Sequence, residues 1–167
     1  SVVVVEGQMD LCMSYQAGIH HTVAVSGTAF TDEHIHIIKR FCDTVILSFD
    51  TDTAGQNALK KTALLCLLGG IDVYVVGGIG LNQSEGLVDR TDSERKSVLG
   101  PKDPADLIKE NPDAWTKAVE NKKHVVEVML ARALALSQDE REQGKIIVSD
   151  VLPFIRAIQS PIDRAHF

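Results

Sequence analysis

The chain has 167 residues, a formal charge of −6 and 44% apolar residues, which suits one globular domain with room for a small second one. The negative balance argues against a simple basic surface that grips nucleic acid through Lys and Arg, so a polyanionic substrate would need cations or another domain beside it. No apolar run approaches the roughly 18 residues of a membrane span, and the opening SVVVV has neither the basic start nor the cleavage site of a signal peptide.

The runs VVVV (2–5), TVAVS (22–26), TVILSF (44–49) and IDVYVV (71–76) predict strands. Val/Ile runs without polar alternation predict a parallel sheet covered on both faces. Between them, 8–18, 32–42 and 54–68 carry helical spacing; Thr31 or Asp32 caps the second, and Gly18, Gly69 and Gly70 end the others. Strands and helices in alternation make an α/β fold with right-handed crossovers. The segment 77–104 is polar and glycine-bearing and reads as an exposed loop. Its GGIG has no third glycine in register for a nucleotide-binding turn and no helix opening behind it. From about Pro112 the periodicity is helical throughout. One stripe is Val125, Val126, Met129, Leu130, Ala133 and Leu134; a second is Ile147, Val151, Phe154, Ile155 and Ile158, interrupted by Pro153. The chain starts flush with a strand and stops just after Pro161 opens a further helix, the pattern of a piece of a longer protein.

The three cysteines, Cys12, Cys42 and Cys66, form no CxxC, which argues against a disulfide framework or a zinc site. Each reads as a small buried apolar group in a reducing cytoplasm. The six histidines show no HExxH; His34 and His36 lie two apart on a helix and face different ways, so the histidines read as surface or boundary residues.

In an open parallel sheet, ligands bind at the carboxyl ends of the strands. Those ends carry Glu6 after the first strand, Gly27 and Thr28 after the second, and Asp50 and Asp52 after the third. Asp103 and Asp106 follow the fourth strand's loop in PKDPADLI, and Asp10 stands one helical turn beyond Glu6. Singly, Asp10 and Asp106 also suit helix starts, where a carboxylate caps free N–H groups and meets the positive end of the helix dipole. As a cluster they need counter-charge, because two carboxylates about 4 Å apart repel by roughly 4 kcal/mol at an effective dielectric near 20. Lys60, Lys61 and Lys102 supply part of it, but all-oxygen ligands at a sheet rim suit Mg²⁺ or Mn²⁺ best, with water and substrate phosphates completing the shell.

Four signatures stand in order: Glu-Gly after the first strand, Gly-Thr after the second, DxDxAG after the third and DPxD beyond the fourth. This order resembles the toprim domain of topoisomerases and primases, and within it the bacterial DnaG-type primase. VVVVEGQMD is similar to the family's EGYMD, TVAVSGTAFTDEHIHIIKR to its VAxxGTAxTxxH, VILSFDTDTAG to its FDGDxAG, and PKDPADLI to its GKDPD. The tail ending LPFIRAIQSPIDRAHF resembles the helical subdomain that follows toprim in these enzymes.

The resemblance implies an α/β fold with a toprim-type, parallel-rich sheet flanked by helices over residues 1–111, including a loop or insertion at 79–100, then a small helical subdomain over 112–167. It implies metal-dependent synthesis of short RNA primers from ribonucleoside triphosphates on a single-stranded DNA template. Glu6 becomes the general base or acid at the attacking 3′ hydroxyl; Asp50, Asp52 and Asp103 become ligands of two or more Mg²⁺ or Mn²⁺ ions, with Asp10 in support. Gly7 and Gly27 let the backbone approach substrate closely, with Thr28, Lys60 and Lys102 beside it. Gln8 departs from the family's tyrosine, Thr51 from the glycine of DGD, and Ala105 from the second aspartate of DPD. Asp106, one position later, is the candidate metal ligand in its place, at an offset of about 100° on a helix. The family's zinc-binding module and basic amino-terminal half have no counterpart in these residues, so no zinc is expected here, and weak or no primer synthesis by this piece alone. The implied setting is the bacterial cytoplasm at the replication fork, with the RNA primer as product, the replicative helicase engaged through a region absent here, and no membrane.

FDTDT also resembles the DxDxT of haloacid-dehalogenase-type phosphatases, whose first aspartate is a nucleophile, with Ala54 at the place of that threonine. In that family the nucleophile follows the first strand; here it follows the third, leaving EG and GT unexplained. A second alternative is a non-catalytic toprim or receiver-like metal-binding scaffold, against which the retained Glu6 stands.

Overall fold

Four short apolar segments become neighbouring parallel strands; the central ones bury both faces, whereas Val23 of the edge segment stays exposed. In the computed structural model, which describes residues 1–27, 29–77 and 104–167, the strands are β1 (Val2–Val5), β2 (Thr22–Ala24), β3 (Thr44–Ser48) and β4 (Asp72–Val75). Thr28, Lys102, Asp103 and the proposed insertion at 79–100 lie outside the described residues. With β5 (Lys123–His124), the strand order is β2-β1-β3-β4-β5, the first four parallel.

Alternation along the strands feeds two cores. Val4, Val45, Leu47, Val73 and Val75 face one side; Val3, Val5 and Ile46 face the other. On the first side pack α2 (Asp32–Ile38) through Ile35, and α3 (Thr53–Leu68) through Leu59, Ala63, Cys66 and Leu67. On the second lie α1 (Gln8–Gln16), α4 (Pro104–Glu110) and α5 (Pro112–Glu120), which bring Leu11, Ile108, Trp115 and Val119. β1 is followed by β2 on one side in the sheet, whereas β3 and β4 lie on the other. The direction of winding therefore reverses between β1 and β3, and the helices after those two strands cover opposite faces. Such a reversal opens a crevice at the carboxyl ends of the two strands.

The segment after Pro112 is not helical throughout. Lys123–His124 forms a fifth strand, antiparallel to β4, with His124 opposite Tyr74. His124 is also buried, against the expectation for the histidines. Its Nδ1 accepts the Val126 N–H at the start of α6 (Val125–Ala135) and its Nε2 lies 3.1 Å from Asp72 Oδ1. With Nδ1 accepting, Nε2 carries the proton and donates to Asp72, and this bond holds the Asp72 carboxyl below the usual range, against burial, which pushes it up. α6 buries Val125, Val126, Val128, Met129 and Ala133 in the first core; Leu130 and Leu134 of the expected stripe stay exposed.

The later helices are α7 (Glu140–Ile146), a π-helical turn (Ile147–Val151), α8 (Leu152–Ala157) and α9 (Pro161–Arg164). Val151, Phe154 and Ile158 join the first core, with Ile147 and Ile155 partly buried beside it. The helix is interrupted before Pro153 rather than at it. Pro153 falls in the first turn of α8, directly after the π-helical turn, which accommodates the residue without an N–H. Of the cysteines, Cys66 is buried, which pushes its thiol up to about 12, but Cys12 is exposed and Cys42 half-buried. Among the described residues no helix is long and apolar enough to cross a membrane.

Candidate functional site

β1 and β3 are adjacent, with Val5 level with Ser48, so the residues that leave their carboxyl ends emerge side by side. Glu6 Oε1 accepts the Asp50 N–H at 3.0 Å, a bond between residues 44 apart in sequence. Asp52 is the N-cap of α3, its Oδ1 accepting the Gly55 N–H at 2.7 Å. Asp52 is exposed and Glu6 and Asp50 are half-buried. Gly7 is the N-cap of α1. The rim thus gathers the amino-terminal ends of α1 and α3, whose dipoles favour negative charge.

Gly55, which sequence reasoning passed over, makes this approach possible. A Cβ there would lie 2.4 Å from the Asp50 carbonyl oxygen and 2.9 Å from Glu6 Oε1. Its signal was present in the sequence: a glycine in the first turn of a helix, where alanine is the better helix former. Gly55→Ala is expected to destabilise the protein by about 1–3 kcal/mol through overpacking against backbone that cannot yield. Thermal denaturation reads this directly, and an unchanged midpoint would show that the α3 start is free to move off Glu6.

On the other flank, the turn after β2 places Ser26 and Gly27 in the left-handed region at φ 54° and 77°. Ser26 N–H donates to the Glu6 carbonyl at 2.9 Å and Ser26 Oγ accepts from Gln8 Nε2 at 2.9 Å. Gln8, the departure from the family's tyrosine, therefore ties the Glu-Gly turn to the Ser-Gly turn.

Asp10 sits deeper. It is 8% exposed, its Oδ2 accepts the Gly7 N–H at 3.1 Å and its Oδ1 the Ala105 N–H at 3.2 Å. The Ala105 side chain is buried, while Asp106 is half-exposed and lies 3.7 Å from Lys109 Nζ. The two neighbours thus point to different sides of α4, as the helical offset requires. Lys60 stands eight residues along α3 from Asp52, roughly 12 Å at 1.5 Å per residue. Its ammonium meets Asp150 Oδ2 of the π-helical turn at 2.9 Å. The Ser149 hydroxyl and then Lys60 hold the Asp150 carboxyl below its usual range. Arg132 of α6, also unforeseen, donates to Gln56 Oε1 in the first turn of α3.

Glu6, Asp50 and Asp52 offer an all-oxygen donor set suited to a hard divalent cation. Among the described residues no three acidic, histidine or cysteine side chains converge closely enough to hold one unaided. Asp103, another acid of the expected ligand set, lies outside the described residues.

A parallel sheet whose switch point carries a glutamate on one strand end and a DxD on the next defines a toprim-type protein, and residues 1–77 match the family model of the Toprim domain. The chain is 35% identical over 131 residues to a DNA primase of Borreliella burgdorferi, covering 78% of this chain and 21% of that one. Two solved structures share its fold across 99% of its length. One is a DNA primase domain from Pseudomonas aeruginosa, with TM-score 0.71, 21% identity and 47% of that chain covered. The other is the DnaG primase catalytic domain bound to single-stranded DNA, with TM-score 0.69, 21% identity and 48% covered. The chain belongs to the bacterial DnaG-type DNA primase family and spans about a fifth of the length of the curated primase it matches.

Proposed function

We propose that this chain is the metal-binding catalytic portion of a replication primase, joining ribonucleoside triphosphates into short RNA primers on single-stranded DNA. The observation that carries the reading is the Glu6–Asp50 bond at the β1/β3 switch point, which sets a glutamate and a DxD in one crevice. Asp50, Asp52 and Asp103 hold Mg²⁺ or Mn²⁺, two or more ions in all. When bound, such ions compensate triphosphate charge and favour the attacking oxygen as its alkoxide. Glu6 takes the proton of the attacking 3′ hydroxyl at the carboxylate that faces the crevice. The turn at Ser26 and Gly27 borders the same crevice and forms its substrate-facing wall; Thr28 and Lys102 are candidate substrate contacts on sequence grounds alone. An acidic chain can serve a polyanion in this way because the cations stand between the two.

In this reading residues 1–111 carry the toprim motifs, and residues 112–167 complete the same unit by adding β5 to its sheet and α5, α6 and α8 to its two cores. The setting is the bacterial cytoplasm at the replication fork, the helicase being engaged by a part of the protein outside this chain. The DNA-bound relative supports the template assignment, and the primase relative the reaction.

The test is a crystal of the intact protein soaked in Mn²⁺. Anomalous density is expected against the carboxylates of Asp50 and Asp52. It should weaken in Asp52→Asn, which keeps a good N-cap for Gly55 and so leaves the helix start in place. Density confined to other surfaces would remove the metal assignment.

A further inference from the structure

The expected ligand set includes Asp10, but its bonds point to a different task. Both carboxylate oxygens accept main-chain N–H groups, Oδ2 from Gly7 and Oδ1 from Ala105, in a setting where the residue is 8% exposed. Gly7 directly follows Glu6. Ala105 stands in the first turn of α4, two residues after Asp103 in sequence. The single side chain thus ties the turn that carries Glu6 to the start of a helix 95 residues away.

Two further features fit a tie of this kind. A Cβ at residue 7 would come within 2.9 Å of Asp10 Oδ2, so glycine there leaves room for the carboxylate to reach the backbone. At the other end, the side chain of Ala105 is small and buried and Asp106 faces Lys109, so the α4 start meets Asp10 with its main chain. Buried N–H groups at a helix start need acceptors, and a carboxylate that supplies two such bonds is fixed in place by them.

We propose that Asp10 is a positioning residue, a clamp that holds the start of α4 against the Glu6 turn, and not a metal ligand. The effect on catalysis rests on the primase reading given above; the clamp itself does not.

The test is Asp10→Asn in the intact protein. The amide keeps one acceptor oxygen and replaces the other with an NH₂ group that cannot accept, so one of the two main-chain bonds is lost whichever way it turns. Amide hydrogen exchange at Gly7 and Ala105 is expected to accelerate at one of the two, with the count of bound Mn²⁺ by electron paramagnetic resonance unchanged. The kcat for primer synthesis should fall by about tenfold to a hundredfold, as small misplacements of a reacting group do. Loss of one Mn²⁺ equivalent with both amides still protected would make Asp10 a ligand and overturn the proposal. Faster exchange with full kcat would overturn its positioning role. Gly7→Ala approaches the same bond from the other side with every carboxylate intact. It should reproduce the faster exchange and lower kcat, and its failure to do either would count equally against the clamp. A wild-type protein that makes no primers would sink the primase reading while leaving the exchange and Mn²⁺ measurements to decide the clamp.

Discussion

Glu6→Gln in the intact protein is expected to lower primer synthesis by about 10²–10⁴-fold, the range for losing a positioned general base, with the fold unchanged. The two effects separate because Glu6 has two jobs that depend on different properties. Its structural job is to accept the Asp50 N–H, 3.0 Å from Oε1. A glutamine carbonyl oxygen accepts the same bond at the same reach, so the β1 and β3 ends stay together. Its chemical job needs a negative charge and a site for a proton, and an amide offers neither at neutral pH. Primer synthesis on a single-stranded template, read beside a thermal melt, measures both. Lost synthesis with an unmoved melt is the expected pair. Unchanged synthesis would make the toprim unit a scaffold, and a collapsed melt would show that the charge itself holds the crevice.

The parts of this site that could be read in the sequence were those in which one residue type answers one local need. Unbroken Val/Ile runs have few other uses than a strand buried on both faces, and their ends are then marked by where the apolar residues stop, which put Glu6 and Asp50 at one rim before any coordinates. β5 was not legible because its two residues, Lys123 and His124, carry neither apolar alternation nor β-branching. They pair with β4 because α5 and α6 bring them there. α4 was only partly legible: Asp106 suits a helix start, but the helix opens at Pro104, the last residue of what reads as loop, without a preceding periodic stretch. The roles of Asp10 and Lys60 could not be read for a different reason. A charged side chain's partner is a property of the folded neighbourhood, and Ala105 and Asp150 are both about 90 residues distant in the chain. Gly55 lay in plain view, but its purpose is a clearance, and clearances appear only when backbone from elsewhere arrives.

Trp115→Ala is expected to destabilise the protein by about 3–5 kcal/mol, the range for emptying a buried tryptophan site. Trp115 of α5 is fully buried in the second core, among Val3, Val5, Ile46 and Ile108. Its indole Nε1–H also donates to Ser14 Oγ of α1 at 3.0 Å. Ser14 Oγ lies 2.8 Å from Thr22 Oγ1, and Thr22 donates onward to the Ile19 carbonyl at 2.9 Å. The substitution therefore opens a cavity and removes the donor that heads a buried polar chain joining α5, α1 and β2. Trp115→Phe separates the two losses, since it refills most of the volume but cannot donate; about 1–2 kcal/mol is expected from the broken bond. Chemical denaturation of both variants gives the comparison. Equal losses would assign the site's stability to the hydrogen bond, and a negligible loss in Trp115→Ala would mean that α5 does not anchor this layer. The layer matters for chemistry because α1 begins at the Glu6 turn and carries Asp10. Loosening α5 from α1 should therefore weaken the bond from Ala105 to Asp10 as well, so hydrogen exchange at the Ala105 amide is expected to rise in Trp115→Ala before the protein unfolds globally.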